Sequence, residues 1–266
     1  MDRLIALPAE FDAIGVRAEN PGPFSLTGTN SWIVGRDPAW LVDPGPALEA
    51  HLVAVTAEID SRGGLAGIAL THNHHDHNES VPQILERFPG TPVAGARGPV
   101  DIRLAEGDRF GPLEAIATPG HAPDHLAYIS GRLALTGDAV LGEGSVFIAP
   151  DPGALSSYLA ALERLRRRDL GALAPGHGPV VLDPAAKLSQ YIAHRLDRER
   201  HLLVALDAGL RTVDELLDAA WPDAPALLRP AAAVTLAAHL DKLDDEGRLP
   251  RGVDRPAWPV DWLSQA

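Results

Sequence analysis

Four side chains that can bind a metal ion lie within six residues of one another in the first third of the chain. They are His72, His74, Asp76 and His77. Neutral imidazoles and carboxylates are ligand types that Zn²⁺ takes in proteins. The apolar run 67–70 before the cluster predicts a buried strand, and the pattern of 79–88 after it predicts a helix. The cluster is therefore expected on a strand-to-helix loop, where functional side chains are commonly displayed.

Three more ligand-capable residues follow, each at the end of a predicted strand. His121 stands at a Pro-Gly turn, Asp138 follows an apolar run that ends in glycine, and His177 follows a second Pro-Gly pair. A solvated loop or an adventitious metal site is the simpler interpretation of an isolated histidine cluster. One ligand-capable residue stands at the end of each of these strands, and this recurrence argues against that interpretation. Ligands in α/β folds gather at the carboxyl ends of strands.

These seven residues resemble the signature of the metallo-β-lactamase superfamily, which is His-x-His-x-Asp-His followed by a histidine, a bridging aspartate and a final histidine. The resemblance covers about the first 180 residues. It implies an α/β protein with an αββα sandwich and a dinuclear metal site at one edge. One metal would be held by His72, His74 and His121, and the second by Asp76, His77 and His177. Asp138 would bridge both metals, and Asp76 and Asp138 would take part in catalysis.

Two other polar residues are candidates for orienting the ligands. Asp43 ends a predicted strand, in a Val-Asp-Pro-Gly segment that is similar to an early segment of this superfamily, and would orient a ligand histidine. A turn aspartate before Pro-Gly is the alternative. His125 is a candidate for the same role or for a satisfied turn residue. His75 lies inside the cluster but off the motif and is expected to point away.

Further elements are predicted from local patterns. Residues 24–26 and 31–34 flank a Thr-Gly-Thr-Asn turn and are expected to form a hairpin. Apolar stripes predict helices over 46–61 and 151–168.

The composition of the chain changes at residue 183. We therefore expect a catalytic domain over 1–182 and a smaller helical domain over 183–266, with helices over 184–208, 212–220 and 226–246. Thr212 and Glu215 form a predicted capping box. The helix order resembles a winged-helix-like domain found in one branch of the superfamily. That branch includes lactamase-beta-like endoribonucleases and glyoxalase II-like thioesterases.

One face of the helix that follows His177 is a candidate for contact with substrate. It carries Tyr191, Arg195, Arg198 and Leu202. Because the helix begins close to the last ligand, Tyr191 and Arg195 are predicted to line the substrate mouth, with Arg195 pairing with an anionic group. An ordinary packing face is the alternative, since arginine stems often cover apolar surface.

Composition and charge exclude several function classes. There is no cysteine, so neither a disulfide nor a nucleophilic thiol is available. The net charge is −13, whereas nucleic-acid binding usually needs a basic excess, so the charge disfavours nucleic acid as a partner without excluding it. The one basic cluster, at 164–168, suits the end of a helix. No run is long and apolar enough to span a membrane, and no signal segment is visible, which predicts a soluble cytoplasmic protein.

The chemistry implied by the resemblance is hydrolysis by a dinuclear zinc enzyme. Two Zn²⁺ ions per chain would share a hydroxide that attacks a small ester or thioester. Two alternatives use the same fold: an endoribonuclease with single-stranded RNA as its partner, and a mononuclear iron persulfide dioxygenase. A metal-stabilised binding protein without activity is a further interpretation. A small molecule is the expected partner, and a homodimer is left open.

Overall fold

The first of two β-sheets is formed by the N-terminal half of the chain. The structure is a computed structural model, and it describes residues 3–257. The seven strands lie side by side in chain order: β1 (Leu4–Ala6), β2 (Ala13–Arg17), β3 (Asn30–Val34), β4 (Ala39–Val42), β5 (Leu65–Ala69), β6 (Val93–Gly95) and β7 (Ile102–Arg103). Strands β1 to β4 pair antiparallel, and β4 to β7 pair parallel.

The second sheet has five strands. In chain order they are β8 (Arg109–Phe110), β9 (Leu113–Ala117), β10 (Leu126–Ser130), β11 (Leu133–Gly137) and β12 (Ala172–Pro175). Their spatial order is β12-β11-β10-β9-β8, antiparallel except for the parallel pair β11 and β12. Because β9 and β11 both run antiparallel to β10, the carboxyl ends of β9, β11 and β12 meet at one edge.

Within residues 3–257, seven α-helices cover and extend the two sheets. They are α1 (Glu49–Ser61), α2 (His75–Asn78), α3 (Val81–Arg87), α4 (Ala154–Arg166), α5 (Pro184–Asp207), α6 (Val213–Ala220) and α7 (Arg229–Asp245). Short 3-10 turns occupy Ala9–Phe11 and Ala226–Leu228. None of the described helices is both long and apolar enough to cross a membrane.

Apolar residues alternate between the faces of each sheet and produce four layers. Trp32 and Val42 of the first sheet pack against Leu113 and Leu135 of the second to form the inner core. On the outer face of the first sheet, α1 and α3 bury Val55, Ile59 and Ile84 against the strands. On the outer face of the second sheet, α4 and the start of α5 bury Leu155, Leu162 and Leu188. Burial of each such side chain contributes about 1.5–3 kcal/mol. The predicted αββα sandwich is confirmed.

The C-terminal helices share a second core. The far half of α5 packs against α6 and α7 through Leu202, Leu206, Leu216, Leu236 and Leu240. The near half of α5 contributes Leu188 and Tyr191 to the core of the sandwich. Helix α5 is therefore one rigid element common to both cores, and the domain boundary at 182/183 stays a prediction.

Several local predictions need correction. The hairpin of 24–26 with 31–34 is wrong, because β3 pairs with β2, whereas Leu26 makes only an isolated bridge to Gly22. The predicted helix over 79–88 is α3 alone, which begins at Val81, and the end of the predicted ligand loop forms the short helix α2 instead. The predicted helix over 226–246 begins with the 3-10 turn. The predicted capping box is confirmed: Thr212 and Glu215 bond each other's backbone at the start of α6.

Candidate metal centre

The metal-binding loop leaves the carboxyl end of β5, a central strand with parallel neighbours on both sides. His72 and His77 are buried and His74 is half-buried. Helix α2 begins at His75, so His75 and Glu79 lie on its solvent side, with 71% of the His75 side chain exposed. His75 therefore points away from the cluster, in agreement with its place outside the motif.

The other three candidate ligands come from the carboxyl edge of the second sheet. His121 follows β9, Asp138 follows β11 and His177 follows β12. The two edges are joined directly, because the Leu126 N–H donates to the Thr71 carbonyl at 2.7 Å and the Asn30 N–H donates to the Gly176 carbonyl at 2.7 Å. These backbone bonds bring all seven candidate side chains to one point.

Asp138 lies at the centre of the cluster. Its Oδ2 is 3.3 Å from His177 Nε2 and 3.6 Å from His121 Nε2, and its Oδ1 is 3.6 Å from His77 Nε2. Asp76 Oδ2 is 3.4 Å from His177 Nε2. Two of the groups whose ligand atoms all lie within 4.8 Å of one another are the two sets expected from the sequence: His72, His74, His121 and Asp76, His77, His177. Asp138 therefore stands between the two sets.

Hydrogen bonds between the side chains of the cluster leave some of its polar atoms unsatisfied, as expected for atoms that would bind cations. His72 Nε2 and Asp138 Oδ1 are buried and have no hydrogen-bond partner within the described chain. Unsatisfied buried polar atoms are costly, and each needs its own explanation. A donor set of imidazole nitrogens and carboxylate oxygens suits zinc, and also other first-row metals.

The protonation states favour the same interpretation. Burial lowers the pKa of His72 and His74, and it lowers the pKa of His121 to about 3, so these imidazoles are neutral. Burial alone would raise the pKa of Asp138, but His177 and His77 hold it well below its ordinary value. Neutral imidazoles and ionised carboxylates are the forms that bind metal ions.

The pKa values of His77 and His177 are shifted in the opposite direction by the neighbouring carboxylates. Burial alone would lower the pKa of His77, but the carboxylates of Asp76, Asp138 and Asp43 raise it well above its ordinary value. Asp138 likewise raises the pKa of His177 against the effect of burial. Metal binding at these two imidazoles would therefore be coupled to proton release.

Asp43 holds the ligand loop through hydrogen bonds to its carboxylate. It follows β4, next to β5, with a positive φ of 52°. Its carboxylate accepts from the Thr71 N–H at 2.8 Å, from the Thr71 hydroxyl at 2.7 Å and from His77 Nδ1 at 2.9 Å. Since the Thr71 proton goes to Asp43, the Thr71 oxygen is left to accept from His72 Nδ1 at 2.9 Å. The Nε2 atoms of both histidines then face the cluster.

His125 is a buried neutral base behind Asp138. Its Nε2 accepts from the Asp138 N–H at 3.0 Å, and its Nδ1 lies 2.7 Å from the Thr118 hydroxyl. Burial lowers its pKa to about 3. Its ring stacks on His72 with centroids 4.9 Å apart. His125 therefore contacts the cluster through the backbone of Asp138 and the ring of His72.

Thr29 and Asn20 hold the Asp76 carboxylate, a role that was not predicted from the sequence. The Thr29 hydroxyl donates to Asp76 Oδ2 at 2.9 Å, and it accepts from the Asn20 amide at 2.9 Å. The available signal was the polar run Thr29-Asn30-Ser31, which enters β3 and is fully buried. Three successive buried polar residues need partners, and Asn30 finds them in the Pro175 and Gly178 carbonyls beside His177.

Tyr191 and Arg195, which were predicted to line the substrate mouth, border the cavity beside the cluster, but their polar groups bond to protein groups. They are 3% and 2% exposed, because α5 packs that face against α4 and the loop over 141–147. The Leu141 N–H donates to the Tyr191 hydroxyl at 3.0 Å. Arg195 donates to Ser145 Oγ at 2.9 Å and to the Val146 carbonyl, and its guanidinium lies over the Tyr158 ring. Both residues line the adjoining cavity, and their polar groups hold the loop over 141–147 in place.

Two cavities meet at the cluster. The large cavity, of about 450 Å³, lies between the loop over 141–147 and the C-terminal helices. The loop cavity, of about 200 Å³, lies under the segment 20–25 and reaches His74, Asp76 and His177. Both are lined by His121 and Asp138, and by Phe24 and Phe147, whose rings pack edge to face with centroids 6.1 Å apart.

Comparisons with known proteins agree with this architecture. Residues 100–177 match the "Metallo-beta-lactamase superfamily" and residues 212–258 match the "Beta-lactamase associated winged helix domain". The chain is similar to the beta-lactamase-like protein 2 homolog of Drosophila melanogaster, with 32% identity over 86% of this chain and 87% of that protein.

Two further similarities concern a named enzyme and a solved structure. An atrochrysone carboxyl ACP thioesterase of Cryptosporiopsis sp. is 32% identical over 73% of this chain, but the chain spans only 62% of that protein. A beta-lactamase domain protein from Burkholderia ambifaria superposes with a TM-score of 0.77, with 21% identity over 94% of this chain and 91% of that chain. This chain therefore belongs to the metallo-β-lactamase superfamily and carries its associated winged helix domain.

Proposed function

We propose that the protein is a dinuclear zinc hydrolase that cleaves small carboxylic thioesters or esters. The observation that carries this proposal is the position of Asp138, with oxygens facing both ligand sets. His72, His74 and His121 would hold one ion, and Asp76, His77 and His177 the other. When bound, a pair of such ions lowers the pKa of a shared water and polarises the carbonyl that it attacks.

The chain's own residues prepare the site for that chemistry. Asp43 and Thr71 orient His77 and His72, so that their Nε2 atoms point inward. The pKa of Asp76 is lowered by His77 and His177, which outweigh the effect of burial, so its carboxylate is ionised. Thr29 occupies one lone pair of that carboxylate, which limits its rotation.

The surroundings favour a small acyl substrate over RNA. The net charge is −13, and the arginines that line the large cavity are already engaged. Arg195 bonds the loop at 145–146, and Arg198 bonds Asp223 and the Ala220 carbonyl. A nucleic-acid site would instead need cations free to pair with phosphates. The similarity to a named thioesterase supports thioesters as the first class to test.

A parallel assay tests the proposed function. Zinc-loaded protein is incubated with acyl thioesters, lactones and single-stranded RNA, and hydrolysis of a thioester or ester is expected to dominate. RNA binding at physiological salt is expected at about 10⁻⁴ M or weaker. Salt-sensitive RNA cleavage that disappears in His74→Ala would replace the proposal with an endoribonuclease. One iron and no zinc in gently purified protein would favour the dioxygenase.

Asp138 provides the second test. Asp138→Ala is expected to lower zinc content from near two ions per chain and to reduce turnover by at least about a hundredfold, because both ligand sets lose their common carboxylate. Elemental analysis and initial rates check this. Asp169→Ala, which removes an exposed aspartate (side chain 85% exposed), is the matched control and should match wild type. Wild-type zinc content and turnover in Asp138→Ala would contradict the assignment.

A further inference from the structure

The two cavities extend from the ligand cluster in different directions. They share His121 and Asp138, so a bond placed beside those residues has one end facing each cavity. Phe147 packs on His121 with ring centroids 4.6 Å apart, and Phe24 packs on Phe147. The pair of phenylalanines therefore forms the common wall at the junction, next to where a substrate would be cleaved.

The large cavity has an apolar wall supplied by the C-terminal helices. Its lining includes Trp221, Leu228 and Ala231 from the C-terminal region, and Leu141 and Val146 from the loop. The arginine guanidiniums and the Tyr191 hydroxyl in its lining bond to protein groups. A group that enters this cavity therefore gains mainly apolar contacts, which suits hydrocarbon or aromatic surface.

The loop cavity has a different character. Its ligand side is formed by His74, Asp76 and His177, and its outer side by the segment 20–25, in which Pro23 and Phe24 are exposed. It is less than half the size of the large cavity. A long polar group bound here would extend past this segment to solvent, since little of it would fit inside.

We propose that a thioester substrate lies across both cavities, with its acyl group in the large cavity and its thiol leaving group in the loop cavity. This inference rests on the proposed function. In the reaction a water oxygen bonds to the acyl carbon and the carbon–sulfur bond breaks. The products are a carboxylate, a thiol and one proton. A cavity of this size accommodates an apolar acyl group of on the order of ten carbon atoms.

Leu228 is then a residue that determines acyl selectivity. It is half-buried, at the end of the 3-10 turn, and lines the large cavity. Its neighbour Leu227 is 71% exposed and lies outside the lining. The pair offers matched variants: Leu228→Trp reduces the cavity, and Leu227→Trp makes the same chemical change on the surface. Leu228→Ala is a second variant, which removes apolar contact and adds no side-chain volume that the fold must accommodate.

The test uses decanoyl and acetyl thioesters of N-acetylcysteamine with zinc-loaded protein. Leu228→Trp is expected to lower the decanoyl-to-acetyl ratio of kcat/KM by at least about tenfold, and Leu227→Trp to change it by less than about twofold. Calorimetric binding of the non-hydrolysable S-decyl thioether gives a readout independent of turnover. Its affinity should fall about tenfold in Leu228→Trp, fall severalfold in Leu228→Ala and stay constant in Leu227→Trp.

The outcomes separate this inference from the proposed function. Thioester hydrolysis with an unchanged ratio in Leu228→Trp overturns the acyl assignment and leaves the hydrolase standing. Thioether binding that depends on Leu228 without any hydrolysis supports the acyl assignment and defeats the hydrolase. Absence of thioether binding in wild type overturns the assignment. The effect of Leu228→Trp on kcat/KM is also compared between coenzyme A and N-acetylcysteamine thioesters. If it depends on the leaving group and not on the acyl chain, the proposed orientation is reversed.

Discussion

At the scale of single residues, the geometry of the candidate metal centre depends on groups outside the two ligand sets. Asp43 makes three hydrogen bonds that fix His77 and, through Thr71, His72. Asp43→Asn keeps the shape but replaces one acceptor by an amide that cannot accept from both Thr71 and His77. We expect zinc affinity to fall about 10–100-fold, the usual cost of losing such a partner. Competition with a chelator measures it.

The control for Asp43→Asn comes from the same ligand loop. His75→Ala removes an imidazole that lies on the solvent side of α2, so its zinc affinity should equal that of wild type. Equal affinities in all three proteins would show that Asp43 is an ordinary turn residue.

At the scale of elements, α5 ties the loop over 141–147 to both cores. Arg195 of α5 holds this loop, because its guanidinium donates hydrogen bonds to Ser145 and to the Val146 carbonyl next to the large cavity. Arg195→Ala leaves the Val146 carbonyl without a charged donor, and we expect the free energy of unfolding to fall by about 3 kcal/mol. Urea unfolding measures this. Leu196→Ala, at the exposed next position, is the control and should change stability by less than about 0.5 kcal/mol.

The kinetics of Arg195→Ala distinguish the two roles considered for this residue. If Arg195 holds the loop, the affinity for uncharged substrates falls together with stability. Unchanged stability, with a loss of affinity for anionic substrates alone, would instead support the predicted anion-binding role.

At the scale of the whole molecule, stability should depend on pH through a buried histidine far from the cluster in sequence. His51 joins α1 to β3 and to the turn after β4, with Nε2 2.9 Å from Ser31 Oγ and 3.1 Å from the Pro44 carbonyl. Burial lowers its pKa from 6.5 to about 4. Between these values the unfolded chain binds the proton and the folded chain does not, so stability is full above pH 6.5 and falls as the pH drops towards 4.

Comparison of wild type with His51→Gln isolates this contribution. Between pH 7.5 and 5.5 wild type should lose about 1.4 kcal/mol more of its free energy of unfolding than the variant does. Urea titrations at the two pH values measure the difference. Parallel changes in the two proteins would show that His51 is not the group responsible.

The spacing of the ligand motif was sufficient to recognise the family resemblance, and the layered fold and the convergence of the seven side chains were expected from that resemblance. The ligand types are contiguous or stand directly after strands, and strand ends of one direction gather at one edge whatever the details of packing. The capping box of α6 and the approximate helices were predictable for the same reason, because their signals extend over a single turn or stripe.

The contacts of Thr29, Arg195 and Leu228 depended on tertiary structure. Thr29 reaches Asp76 over 47 positions, and Arg195 reaches Val146 over 49. Such pairs depend on how two sheets and a helix lie against one another, and side-chain periodicity does not specify that. Periodicity placed Arg195 on the right face of α5, but only packing decided that this face is buried. The large cavity likewise exists only because the C-terminal helices close over the loop after β11.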